Sequence, residues 1–142
     1  MSKTTLGFIF TGLIYLLMGV TLGVLFLIWP ELRALKTVHA HLNLVGFVMF
    51  LIFGVAYHIL PRFRGRPLHS ESLAWHQFLM ANIGLVGLLL SMTIATYQTQ
   101  TYLTYLQAIF GSVLVISMYI FVYNMIRTLA PPVKPVAAPV RK

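Results

Sequence analysis

Cysteine is absent from the 142-residue chain, and the acidic residues number two, Glu31 and Glu71. The first absence excludes disulfides, thiolate metal sites and thioether attachment of a prosthetic group. The second leaves the apolar runs without a carboxylate, because both glutamates fall between them. Charge of either sign is scarce. Only 8% of residues are charged and 59% are hydrophobic, against about 25% charged in a soluble domain, so the solvent implied for most of the chain is lipid. A formal charge of +8 would suit nucleic acid, but the basic residues flank the apolar runs. That distribution is a topology signal rather than a nucleic-acid footprint.

What is present is four uncharged apolar stretches, over 6–28, 38–60, 73–96 and 102–126. Each exceeds the ~20 helical residues that cross a hydrocarbon core, and in lipid the backbone must satisfy its own hydrogen bonds. The expected fold is all-α, an integral membrane four-helix bundle over 1–128. The first stretch follows Lys3 but is longer than the ~7–15-residue core of a signal peptide and lacks an A-x-A-like cleavage site, so it is expected to stay. Trp29-Pro30-Glu31 should end the first helix and Pro61 the second. Ser70 or Ser72 is placed to cap the third. "YQTQT" separates the third from the fourth. The segment 129–142 has four prolines and reads as a disordered cytoplasmic tail.

Lys3, Arg62, Arg64, Arg66, Arg127, Lys134, Arg141 and Lys142 share one side of this topology, and Arg33 and Lys36 share the other. By the positive-inside rule both termini are expected in the cytoplasm, in a bacterial or archaeal inner membrane.

The second stretch opens on His39 and His41 and closes on His58, Pro61 and Arg62. His39 and His58 are separated by about 28 Å of helix, so they cannot share one site. At 100° per residue His39 shares a face with Asn43, Gly46, Phe50 and Tyr57, a small, polar and aromatic stripe suited to facing protein or a cofactor. His41 points about 200° away, with Val48, Ile52, Val55 and Ile59. If both are ligands, they serve two different cofactors. A lone interfacial imidazole is ordinarily just solvated, but ionisable groups within spans tend to be functional, and imidazole is the usual nitrogen ligand of haem iron.

His76, one turn into the third helix beside Trp75, is a candidate partner for His58 at a second, inner haem; the plain alternative is a hydrogen-bonded interfacial pair. His69 in the basic loop reads as solvated. Gly84, Gly87 and Gly111 read first as close helix packing. Met92 is a candidate axial sulfur, though most such methionines only pack.

His39, His41, Gly54 and Pro61 form a pattern of H-x-H, then Gly fifteen residues after the first His, then Pro seven further on. In this the second helix resembles the tenth helix of subunit I of the haem-copper oxidases, the superfamily of terminal cytochrome oxidases and nitric oxide reductases. The resemblance is specific over some 25 to 30 residues and extends further only by helix count. It implies that His39 would ligate a high-spin haem and His41 a low-spin one, on opposite sides of the helix. A His at the place of His58 occurs in mitochondrial-type members without ligating haem. That family's subunit has three pseudo-repeats of four helices with the ligand helix second in each, and four helices with the ligand helix second are what this chain offers. It lacks the family's copper-binding histidines, the His-Tyr pair on another helix and a buried acid, so copper-dependent oxygen reduction is not expected.

The outer halves of the other three helices hold no histidine. A haem on His39 or His41 therefore needs its second ligand from a neighbouring copy, and a cyclic trimer, with a dimer as the next choice, meets that need. Arg33 and Lys36 are the only cations on that side for the propionates. The expected protein is a membrane cytochrome carrying non-covalent haem b, bis-His and low-spin, passing one electron to or from a quinol or another cytochrome. The alternatives are a five-coordinate haem on His39 that binds nitric oxide or another gas, and a cofactor-free assembly subunit.

Overall fold

The computed structural model describes residues 1–131. Ser2 opens the first helix, its Oγ accepting a hydrogen bond from the Thr5 amide at 3.2 Å, and α1 runs Lys3–Ile28. Trp29 and Pro30 end it as the sequence implies. Pro30 also starts the next element, a 3₁₀ turn over Pro30–Leu35, where its missing amide hydrogen is no loss. The chain then continues without a break through α2 (Lys36–His41), a π-helical stretch (Leu42–Met49) and α3 (Phe50–Phe63). Helices α4 (Glu71–Tyr97) and α5 (Thr101–Leu129) follow. Among the described residues there is no strand, and four helical segments are long and apolar enough to cross a membrane. The expected spans are thus present, each somewhat longer than its apolar run. The tail expected over 129–142 lies outside the described residues from 132 onward; α5 itself reaches Leu129.

Pro61 does not end the second span. It sits within α3, one turn before the true stop, because a proline ahead of the final turn forfeits one hydrogen bond without blocking the residues that follow. The stop is at Gly65, whose φ of 66° lets its amide reach the Arg62 carbonyl and the Arg66 amide reach that of Pro61, both at 3.0 Å. This pair of bonds satisfies carbonyls left over at the helix end. Ser70, not Ser72, caps α4, accepting from the Leu73 amide at 3.1 Å.

The π-helical stretch is the main departure from a uniform 100° step. Buried positions along the second span are Val38, Leu42, Gly46 and Phe50, then Phe53, Gly54, Tyr57 and Pro61. In an α-helix a strict four-residue spacing drifts by about 40° per step. The i→i+5 bonding of a π turn winds more residues into each turn, which keeps Val38 to Phe50 on one stripe.

The spans pair as two hairpins, α1 with the second span and α4 with α5. Phe8 is the hub of the first, its ring edge-on to Phe50, Phe53 and Phe78 at 5.0–5.5 Å between centroids. Small residues let the helices close, as is usual in membranes. A Cβ on Gly54 would lie 2.9 Å from the Ile9 side chain, and one on Gly84 would lie 2.7 Å from the Leu114 backbone. Gly87 is likewise filled by the Phe110 ring. Gly111 is not a packing glycine, since a Cβ there would meet nothing within 4 Å. Lys3, Arg62, Arg64, Arg66 and Arg127 fall at one end of the bundle, and Arg33 and Lys36 at the other.

Candidate functional site

His39 sits where the second span crosses α1. Its Nδ1 lies 2.9 Å from the Gly19 carbonyl oxygen, and a carbonyl can only accept, so Nδ1 carries the proton and Nε2 keeps its lone pair. The ring is seated over Gly23, where a Cβ would come within 3.0 Å of its Cε1, and beside Phe26 at 5.4 Å between centroids. Asn43 donates its amide to the His39 carbonyl at 2.8 Å, tying the residue to the start of the π turn.

His41 is anchored in the same manner on its own helix. Its Nδ1 donates to the Thr37 carbonyl at 2.9 Å, which leaves its Nε2 as the free nitrogen; the His39 Nε2 has the Asn43 amide nitrogen 3.5 Å away. The 100° step that would put Val48, Ile52 and Val55 on the His41 face does not hold through the π-helical stretch between them; those three are 39–48% exposed, and an outward groove of about 370 Å³ lies between Leu51 and Leu60. Within α2 itself the two histidines are two residues, about 200°, apart, so the two imidazoles diverge, with His39 turned to α1. Histidines that bind metals characteristically donate the other ring N–H to a carbonyl or carboxylate, so both side chains fit axial ligation of a haem iron through Nε2.

Gly46 makes room for Tyr15 rather than lying open, as a Cβ there would be 2.7 Å from the Tyr15 Cβ. The contact brings α1 near enough for Gly19 to reach His39. Arg33 and Lys36 are exposed at the same end of the bundle, with Arg33 Nε donating to the Phe26 carbonyl at 3.3 Å. Met92 lines a cavity of about 230 Å³ with Thr37, Val38 and Gln107, close to the His41 turn.

At the opposite end His58 and His76 do not share a pocket. His58 lines a cavity with Tyr57, Arg62 and Glu71 that excludes His76. His76 is exposed and donates Nδ1–H to the Ser72 carbonyl at 2.7 Å. His69 is exposed, with its ring edge against Tyr123. Glu31 lies in the 3₁₀ turn and Glu71 in the first turn of α4 rather than in loops, and both are exposed. Among the described residues no three of His, Asp or Glu gather in a way that would hold a metal ion.

Sequence reasoning missed Gly19 and Gln77. Gln77 is fully buried with neither amide atom hydrogen-bonded. Nothing in its local sequence marks it, because a lone Gln in a span reads equally well at any depth.

Four membrane-length helices, with an H-x-H pair whose free nitrogens diverge at one end of the second span, define a multi-pass membrane protein with a candidate haem-ligating helix. The chain matches the family model described as cytochrome c and quinol oxidase polypeptide I over residues 3–139, and it belongs to that family, subunit I of the haem-copper oxidases. No curated protein matches it.

Proposed function

We propose that this chain is a membrane cytochrome binding haem b non-covalently, with bis-His, low-spin iron shared between copies. The observation that carries the reading is the matched anchoring of His39 and His41, which leaves two Nε2 atoms on divergent faces. One chain then cannot clamp one iron with both, and a neighbour's His41 completes the pair begun by His39. A closed trimer satisfies every ligand, and a dimer is the next arrangement. The bound haem would supply one-electron chemistry at a six-coordinate iron.

The protein's own part is orientation. The Gly19 and Thr37 carbonyls hold the ring planes, and Gly46 serves the site by letting α1 approach. Arg33 and Lys36 offer positive charge to the propionates at that end of the bundle. Met92 is placed to flank the His41 side, and His58 and His76 stand as weaker ligand candidates at the basic end. That end faces the cytoplasm by the positive-inside rule, with lipid around the spans and a quinol or cytochrome as redox partner. With no copper-type histidine cluster in the sequence, copper-dependent oxygen reduction is not proposed.

The test is a reduced-minus-oxidised spectrum of the purified protein with its haem-to-chain ratio and oligomer mass. A sharp b-type band, lost in His39→Ala and in His41→Ala and kept in His69→Ala, is the expected result. Normal haem in both ligand variants, or a monodisperse monomer retaining full haem, would overturn it. A large carbon monoxide shift would favour the alternative of a five-coordinate gas-binding haem on His39, and a colourless protein an assembly subunit.

A further inference from the structure

At the basic end of the bundle the start of α1, the end of α3, the loop after it and the start of α4 form an open cleft of about 250 Å³. That is many times the space of one water. Thr5, Tyr57, His58, Arg62, Arg66 and Glu71 line it. Tyr57 is 5% exposed, and its hydroxyl is buried without a hydrogen-bond partner. The ring is held in place by Phe8 and Phe121. Asn124, the polar side chain beside it, bonds the backbone of Ser70 through its amide oxygen and one of its two N–H groups. The Tyr57 hydroxyl is closed off to anything the size of water, so the charge that a ligand in the cleft would meet is that of Arg62, Arg66 and Glu71. Arg66 donates to the Ala130 carbonyl, which fixes one guanidinium at the wall.

We infer that this cavity binds a phosphodiester whose other arm carries an ammonium, the headgroup chemistry of an aminophospholipid. Arg62 and Arg66 supply positive charge for the phosphate, and arginine is the side chain best shaped to fork onto phosphate oxygens. Glu71 is the one carboxylate on the wall and pairs with the ammonium. A cavity built only for a phosphate would not carry that acid. Its position where the spans end is the depth of a headgroup layer, and acyl chains leaving it would lie along the exposed apolar faces of α1 and α4. The site does not depend on the haem pair His39 and His41, which lies at the far end of the second span; of the weaker haem candidates it shares His58.

The experiment uses full-length protein purified in detergent, with bound lipid counted by native mass spectrometry. Thermal stability is then measured after adding back phosphatidylethanolamine, phosphatidylglycerol, phosphatidylcholine or inorganic phosphate. Phosphatidylethanolamine is expected to be retained and to give the largest stabilisation. Arg62→Gln should weaken its retention about tenfold, the scale of one hydrogen bond to a charged group. Arg66→Gln should weaken it several-fold even if Arg62→Gln folds poorly. Glu71→Gln should erase the preference over phosphatidylglycerol, while Arg127→Gln, at the same end but outside the cavity wall, should change nothing. A full shift from inorganic phosphate alone would overturn the lipid assignment, and equal retention by wild type, Arg62→Gln and Arg66→Gln would overturn the site. The haem spectrum is recorded in parallel, so loss of one reading leaves the other distinguishable.

Discussion

Tyr15 of α1 donates its phenolic hydrogen to the side-chain oxygen of Asn82 on α4 at 3.0 Å, across 67 residues of sequence. This bond joins the two hairpins at mid-depth, and the same tyrosine fills the notch at Gly46. One side chain thus sets both how α1 meets the second span and how the two hairpins meet each other.

Tyr15→Phe should keep the notch filled and lose only the bond. The expected cost is about 0.6–1 kcal/mol, the range of interhelical hydrogen bonds in membranes, read from unfolding in mixed micelles. A double-mutant cycle with Asn82→Leu should show the two effects to be non-additive.

Gly46→Ala and Gly111→Ala make an opposed pair. The first drives a methyl into Tyr15 and should cost about 1–3 kcal/mol; under the haem reading proposed above, haem content should fall as Gly19 retreats from His39. The second has open space around it, and should be neutral or stabilise by up to about 1 kcal/mol, the Gly-to-Ala gain in a helix.

Asn124 holds the start of α4 by bonding both the amide and the carbonyl of Ser70, at 3.1 and 2.8 Å. Asn124→Ala frees both groups, and should cost about 2 kcal/mol at about 1 kcal/mol per bond. Hydrogen exchange should quicken at Ser70 and in the first turn of α4, with α5 unchanged on its remote half.

Gln77→Leu replaces a buried amide lacking partners with a side chain of similar volume. Burial of an unbonded polar group costs roughly 1–3 kcal/mol on mutational scales, so the variant should be more stable by a similar amount, read from unfolding in mixed micelles. A loss of stability would show that the amide is serving a polar contact in the working protein.

The number of spans, their order, the basic end and the divergence of His39 from His41 were all legible in the sequence. Lipid enforces a local rule, about twenty uncharged residues per crossing, and side-chain direction within a helix follows from residue count alone. Pro61 misled because proline limits a helix locally, whereas Gly65 one turn later could satisfy the final carbonyls.

The rest depended on neighbours distant in sequence. The π turn after His41 keeps Val38, Leu42, Gly46 and Phe50 on one stripe, against which Tyr15 of α1 packs at Gly46. The proton on His39 was assigned by a carbonyl twenty residues away at Gly19. Tyr57 and Gln77 look alike as polar residues in apolar helices, and only the packing of α1, α3, α4 and α5 decided that each would be buried unbonded. Apolar length and helical step are properties of a single segment. Which ring nitrogen carries the proton, and which hydroxyl is buried unbonded, are properties of the space between segments.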